Sequence, residues 1–210
     1  MIFSSVLGAG GVIVASQSLG GNGLLKNINA TNYNITKATG SEMTIQEIVA
    51  ANENSVVAIT TESVATDIWA RQYITSGAGS GVIYSEDGYI LTNNHVIDGA
   101  STIKVTMHDV TEYDAPLVAA DDRCDIAVIK VSAKELVPVT LNTEMNLSVG
   151  DLAVAIGNPL GTLAGTATEG IISGLEREIT LDGKTMTLLQ ISASINPGNS
   201  GGGVFDQNGR

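Results

Sequence analysis

Gly81-Val82-Ile83-Tyr84-Ser85-Glu86-Asp87-Gly88-Tyr89-Ile90-Leu91-Thr92 reads as two short β-rich runs, Gly81–Tyr84 and Tyr89–Thr92, on either side of an acidic turn that ends in glycine. Neither run is long enough for a helix, and both are built from the branched and aromatic residues that fit a pleated surface. The same unit recurs outward in both directions. Further runs lie at Val56–Thr60, Thr102–Met107, Ile126–Val131, Leu152–Ile156, Gly170–Ile172, Met186–Ile191 and Gly203–Phe205, with turn signals at Gly157-Asn158-Pro159 and Asp182-Gly183. No 10–15-residue amphipathic pattern separates them, which argues against parallel βαβ units and for an all-β barrel or sandwich.

Helix signals are confined to the region ahead of the first run. Thr44-Ile45-Gln46-Glu47 is a capping box, and a short helix through Ala51 is expected behind it. Residues 20–40, rich in Gly, Asn and Thr, read as a linker, and Ile2 to Leu19 carries no charge. That first stretch is expected to be a clipped membrane anchor or uncleaved signal over residues 1–20, although it lacks a positive leader and its serines dilute the hydrophobicity. A linker over 21–43 and a folded domain over 44–210 follow from the same reading.

Composition narrows the function. In 210 residues there are 10 Lys+Arg against 22 Asp+Glu, a net charge of −12, so the chain lacks the basic face a nucleic-acid binder needs. With 43% hydrophobic and 15% charged residues it has enough apolar material for a core. The single cysteine, Cys124, closes no disulfide within the chain and is read as a small packing residue.

Three positions carry the chemistry. Asn196-Pro197-Gly198-Asn199-Ser200-Gly201-Gly202-Gly203 places a serine among residues whose backbone bends sharply. Gly198 can direct its N–H beside that of Ser200 to form a pocket for a developing oxyanion. The segment also matches the G-x-S-x-G nucleophile elbow, but there the acid and histidine follow the serine, and here His95 and His108 both precede it. His95 follows a strand and the polar step Thr92-Asn93-Asn94, facing a cleft at a strand end, whereas His108 sits in a polar turn at the surface. Asp125 stands just ahead of the apolar run Ile126–Val131, where a half-buried carboxylate needs a partner such as a histidine N–H. Asp121 and Asp122 belong to the exposed turn. Thirty residues separate His95 from Asp125 and seventy-five more separate Asp125 from Ser200. The order His95, Asp125, Ser200 is that of chymotrypsin-type serine hydrolases, in which base and acid come from one barrel and the nucleophile from another.

Taken together, the blocks Gly79–Ile83 with Thr92–Ile97, Asp122–Lys130, Val149–Asp151 with Ala155–Gly161, and Ile195–Gly202 resemble the HtrA/Deg family of trypsin-like serine proteases over roughly residues 77–203. The resemblance implies a chymotrypsin/trypsin-like double β-barrel, with residues 44–140 as the first lobe and 141–210 as part of a second, incomplete one, behind a membrane-anchor helix. It implies catalysis by His95, Asp125 and Ser200, an oxyanion hole from the N–H groups of Gly198 and Ser200, and no metal or organic cofactor. Polypeptide substrates outside the cytoplasm, single-pass membrane attachment and a homotrimer are further implications. Two departures stand out: Ser192 replaces the aspartate usual eight residues before the nucleophile, and the chain ends at Arg210, before the family's remaining strands and its common peptide-binding domain. A catalytically silent binding scaffold is the alternative from a different class.

Overall fold

The computed structural model describes residues 42–66, 69–144, 146–158, 166–181, 184–196 and 198–210, all within one compact unit. The expected anchor over 1–20, most of the linker, and the turn residues Asp182-Gly183, Pro159 and Pro197 lie outside the described residues. Among the described residues no helix is long and apolar enough to cross a membrane.

The fold begins with α1 (Ile45–Asn52), which starts where the capping box requires. The Thr44 N–H donates to Glu47 Oε2 at 2.9 Å, and the Glu47 N–H donates back to Thr44 Oγ1 at 3.3 Å. Two donors that a helix start leaves unpaired are thus satisfied. A 3₁₀ turn (Glu53–Ser55) then leads into the strands.

Among the described residues eleven antiparallel strands follow, and they form two sheets. The first is made by β1 (Val56–Thr66), β2 (Gln72–Ile83), β3 (Tyr89–Thr92), β4 (Thr102–Thr106), β5 (Glu112–Asp114), β6 (Leu117–Asp121) and β7 (Ile126–Lys130), in spatial order β5-β4-β1-β2-β3-β7-β6. The second is made by β8 (Leu152–Gly157), β9 (Thr166–Leu181), β10 (Lys184–Ile191) and β11 (Gly203–Phe205), in order β10-β9-β8-β11. The molecule is therefore mostly β, as its runs and turns suggest. β3 and β11 have the expected limits, whereas β5 and β6 are additional strands. β1 and β2 extend well beyond their apolar runs as a two-stranded ribbon, from Val56 opposite Val82 to Thr66 opposite Gln72. Val64, Tyr73 and Ile74 are exposed on that ribbon, so hydrophobic alternation could not report it.

Strand alternation divides the interior into two cores. Val57, Ile59, Ile83, Ile90, Val105, Ile129 and Val131 fill the first. Their neighbours Val56 and Val82 point the other way and join Ile48, Val154, Ile156 and Phe205 in the second. Each fully buried Ile or Val contributes about 1.5–3 kcal/mol relative to exposure. Helix α1, which precedes the first sheet in sequence, is thus packed against the second. Its surroundings are tied to the far end of the chain: Met43 N–H donates to the Gln207 carbonyl at 2.8 Å, and Asn52 Nδ2 donates to the Gly209 carbonyl at 3.2 Å.

Candidate active site

The site lies where β3 runs out of the first sheet. Behind it comes α2 (Asn94–Ile97), a single helical turn, so His95 stands on a one-turn helix immediately after the strand. Asn93 is the N-cap residue of that turn, yet its side chain makes no capping bond. Its Nδ2 donates to the Asp125 carbonyl at 2.8 Å, and its Oδ1 accepts from the Gly201 N–H at 2.8 Å. One amide therefore ties the loop that carries the acid to the loop that carries the serine.

Asp125 occupies the last position of the connection between β6 and β7, with φ +54. Its short polar side chain suits this left-handed backbone better than a branched one would. The backbone shape brings its carboxylate onto His95 twice. Oδ1 accepts from the His95 backbone N–H at 2.8 Å, and Oδ2 lies 2.7 Å from Nδ1. The Asp125 carbonyl also accepts from the Asn94 N–H at 3.1 Å. An ionised carboxylate only accepts, so this contact suits the neutral tautomer with its proton on Nδ1, which has its lone pair on Nε2. The His95 side chain is 57% exposed and that of Asp125 31%, which keeps the imidazole reachable from solvent. The expected partnership between Asp125 and a histidine N–H is present.

The rest of that connection differs in one respect from the sequence reading. Cys124 is exposed, not a packing residue. It precedes the strand, outside the alternation that would bury it, and its Sγ lies 3.7 Å from the Asp121 carbonyl. Asp121 ends β6 and accepts from the Arg123 side chain and backbone, which hold its carboxyl below the usual range. His108 is half-exposed in the turn between β4 and β5.

Ser200 comes from the loop between β10 and β11. Gly198 and Gly201 take φ values of +102 and +85 there, and Asn199 N–H bonds back to the Asn196 carbonyl at 3.0 Å. The peptide joining Ser200 to Gly201 is clamped on both sides, by β2 and by the residue that follows β3. Its carbonyl accepts from the Ser80 N–H at 2.8 Å, and its N–H donates to Asn93. Packing is tight enough that a Cβ on Gly201 would lie 2.1 Å from the Ser80 carbonyl oxygen and 2.3 Å from Thr92 Oγ1. Ser200 is half-buried, and among the described residues its hydroxyl makes no hydrogen bond to His95. The structure thus joins His95 to Asp125 directly, and joins the serine loop to that pair through Asn93.

Ser192, at the position of the family's aspartate, has a structural task. Its Oγ accepts from the Ile171 N–H at 2.9 Å, while its own N–H donates to the Ile171 carbonyl at 3.0 Å. A serine oxygen supplies the acceptor this edge of β9 needs. Sequence reasoning missed Ser80, Thr92 and Asn93 as parts of the site. The signal was Gly79-Ser80-Gly81, small residues in a strand, which marks close approach by another backbone. An apolar groove of about 280 Å³, lined in part by Val82, Leu152, Ile172 and Phe205, opens over the second core and holds none of the candidate catalytic residues.

Comparison with known proteins bears on the same residues. The model of the trypsin-like peptidase domain matches residues 79–210. Protease Do-like 1, chloroplastic, of Arabidopsis thaliana is 39% identical over 180 residues, covering 82% of this chain and 41% of the relative. Serine protease Do-like HtrA of Bacillus subtilis is 42% identical over 144 residues, covering 64% of this chain and 32% of the relative. The solved HtrA-type protease AlgW with decapeptide superimposes with a TM-score of 0.68 at 35% identity, over 80% of this chain and 57% of that one. This chain therefore spans well under half the length of these curated relatives. The matched region contains the strand leading to His95, Asp125 and the Ser200 loop, it is similar to proteases of the HtrA type, and the chain belongs to the trypsin-like peptidase family.

Proposed function

We propose that the chain carries the catalytic apparatus of a serine endopeptidase, with His95 as base, Asp125 as its orienting acid and Ser200 as nucleophile. The observation that carries this reading is the two-point contact of Asp125 with His95, beside Asn93, whose amide also holds the Gly201 N–H of the serine loop. Ser200 Oγ attacks a peptide carbonyl while His95 Nε2 takes its proton and later returns it to the leaving amine. Asp125 holds the Nδ1–H tautomer and stabilises the imidazolium. The N–H groups of Gly198 and Ser200 receive the oxyanion, each such donor contributing about 3 kcal/mol. The Ser200–His95 hydrogen bond forms when substrate closes the site, since such bonds are often long before substrate binds.

The remaining assignments rest on the family likeness. The two sheets correspond to the lobes of a chymotrypsin-like double barrel. Substrates are unfolded or misfolded polypeptides. Two solved HtrA-type structures carry a decapeptide and a tripeptide, which supports this class. A relative from Brucella suis is named a probable periplasmic endoprotease, which supports an extracytoplasmic site of action. Residues 1–20 serve as a single-pass tether, and three copies associate. No nucleic acid is engaged, in keeping with the −12 net charge.

The test is Ser200→Ala in the full-length protein. It should abolish casein cleavage and labelling by a fluorophosphonate while leaving the circular dichroism spectrum unchanged. Undiminished cleavage in that variant refutes the assignment. The rival scaffold reading draws on the unbonded Ser200 hydroxyl, and it requires that the wild-type protein resist the fluorophosphonate altogether.

A further inference from the structure

Ser80 is fully buried on β2 of the first sheet, and its N–H and hydroxyl are used across the seam between the sheets. Its N–H donates to the Ser200 carbonyl at 2.8 Å, and its carbonyl accepts from Thr92 Oγ1 at 2.7 Å. Its hydroxyl does something the backbone could not. Oγ donates to the Gly198 carbonyl at 2.6 Å and accepts from the Asn158 N–H at 2.8 Å. A hydroxyl has one proton, so the Asn158 donor fixes which way that proton points, and it points at Gly198.

The bonded carbonyl belongs to the peptide between Gly198 and Asn199. The N–H of that peptide is held from its other side by the Asn196 carbonyl at 3.0 Å. This peptide plane lies between the two N–H groups proposed to receive the oxyanion, those of Gly198 and Ser200. Gly198, at φ +102, has no side chain to restrict its own rotation, so an outside contact must set the plane. No wider space is available for the loop to find another arrangement, because a Cβ on Gly157 would already lie 2.8 Å from Asn199 Oδ1 and 3.1 Å from Ser80 Oγ.

We infer that Ser80 is a positioning residue whose hydroxyl aligns the oxyanion donors by holding the Gly198 carbonyl. This rests on the serine endopeptidase reading and goes beyond it, since the residue touches neither the base nor the acid. Its contribution belongs to the tetrahedral state and not to ground-state binding, because the donors are aimed at where charge develops.

The test is saturation kinetics of fluorophosphonate labelling in the full-length protein, comparing wild type, Ser80→Ala, Ser80→Cys and Ser200→Ala. In Ser80→Ala the limiting labelling rate should fall roughly tenfold to a hundredfold, approaching the loss seen when one oxyanion donor is removed. The half-saturating probe concentration and the shape of the pH profile should not move, because His95 and Asp125 are undisturbed. Ser80→Cys, which keeps a weak donor, should fall between the two. A Ser80→Ala limiting rate within twofold of wild type overturns the inference, as does a loss confined to half-saturation or a shifted pH profile. If Ser80→Ala does not fold, a wild-type limiting rate in Ser80→Cys overturns it and an intermediate rate supports it. Failure of the wild-type protein to label, or labelling that persists in Ser200→Ala, refutes the endopeptidase reading and this inference with it.

Discussion

The two halves of the site are held in different ways. His95 and Asp125 are fixed by side chains, with one carboxylate gripping one residue at two points and both residues open to solvent. The Ser200 loop is fixed by its backbone, through glycines at positive φ and peptide groups clamped by Ser80 and Asn93. A base must exchange protons and change charge, so it needs a partner that responds to charge. A nucleophile's loop must keep its N–H groups still, so it needs packing that leaves no alternative. The contrast predicts that the first half fails in chemistry without unfolding, and that a side chain forced onto the second half's glycine backbone fails in structure.

The sharpest break is Asp125→Asn. The amide keeps the shape but can present an N–H to Nδ1, which favours the wrong imidazole tautomer. Peptidase turnover should fall about 10⁴-fold, as for the corresponding change in other such triads, with little change in Tm. Equal turnover in the variant would show that the carboxylate is not the orienting group. Gly201→Ala tests the other half. A Cβ there would press on the Ser80 carbonyl and Thr92 Oγ1 from a backbone that L residues avoid, so stability should fall by at least about 2 kcal/mol in urea unfolding, together with activity. A folded, fully active Gly201→Ala would mean that the loop has room it does not show. The smallest effect is expected from Thr44→Ala, which removes the capping hydroxyl and should cost about 1 kcal/mol. Because α1 packs on the second core, that loss should leave the His95–Asp125 contact, followed by the imidazole NMR signals, as it was.

The same contrast explains what could be read from the sequence. His95, Asp125 and Ser200 stood out because each residue type is chemically distinctive and their order matches one architecture. The strands that line a core, such as β3 and β8, were legible because apolar residues report burial. The β1–β2 ribbon was not, since strand pairing leaves no mark on residues whose side chains face water on both sides. The distant partners of Ser80 and Asn93 were illegible for another reason. They lie 118 and 108 residues away, and a hydroxyl or amide reveals nothing of which distant backbone it will hold. Cys124, read as a packing residue, is instead exposed, since its place is in the turn before the strand.

The ties from Met43 to Gln207 and from Asn52 to Gly209 have a consequence for biosynthesis. The ribosome makes the helix well before its seat. At about 5–20 residues per second, roughly ten to thirty seconds of translation separate them. During that interval the first sheet can form while Ile48 and its neighbours lack the surface they will cover, so the nascent chain carries an apolar handle that a holdase chaperone could grip until β11 emerges.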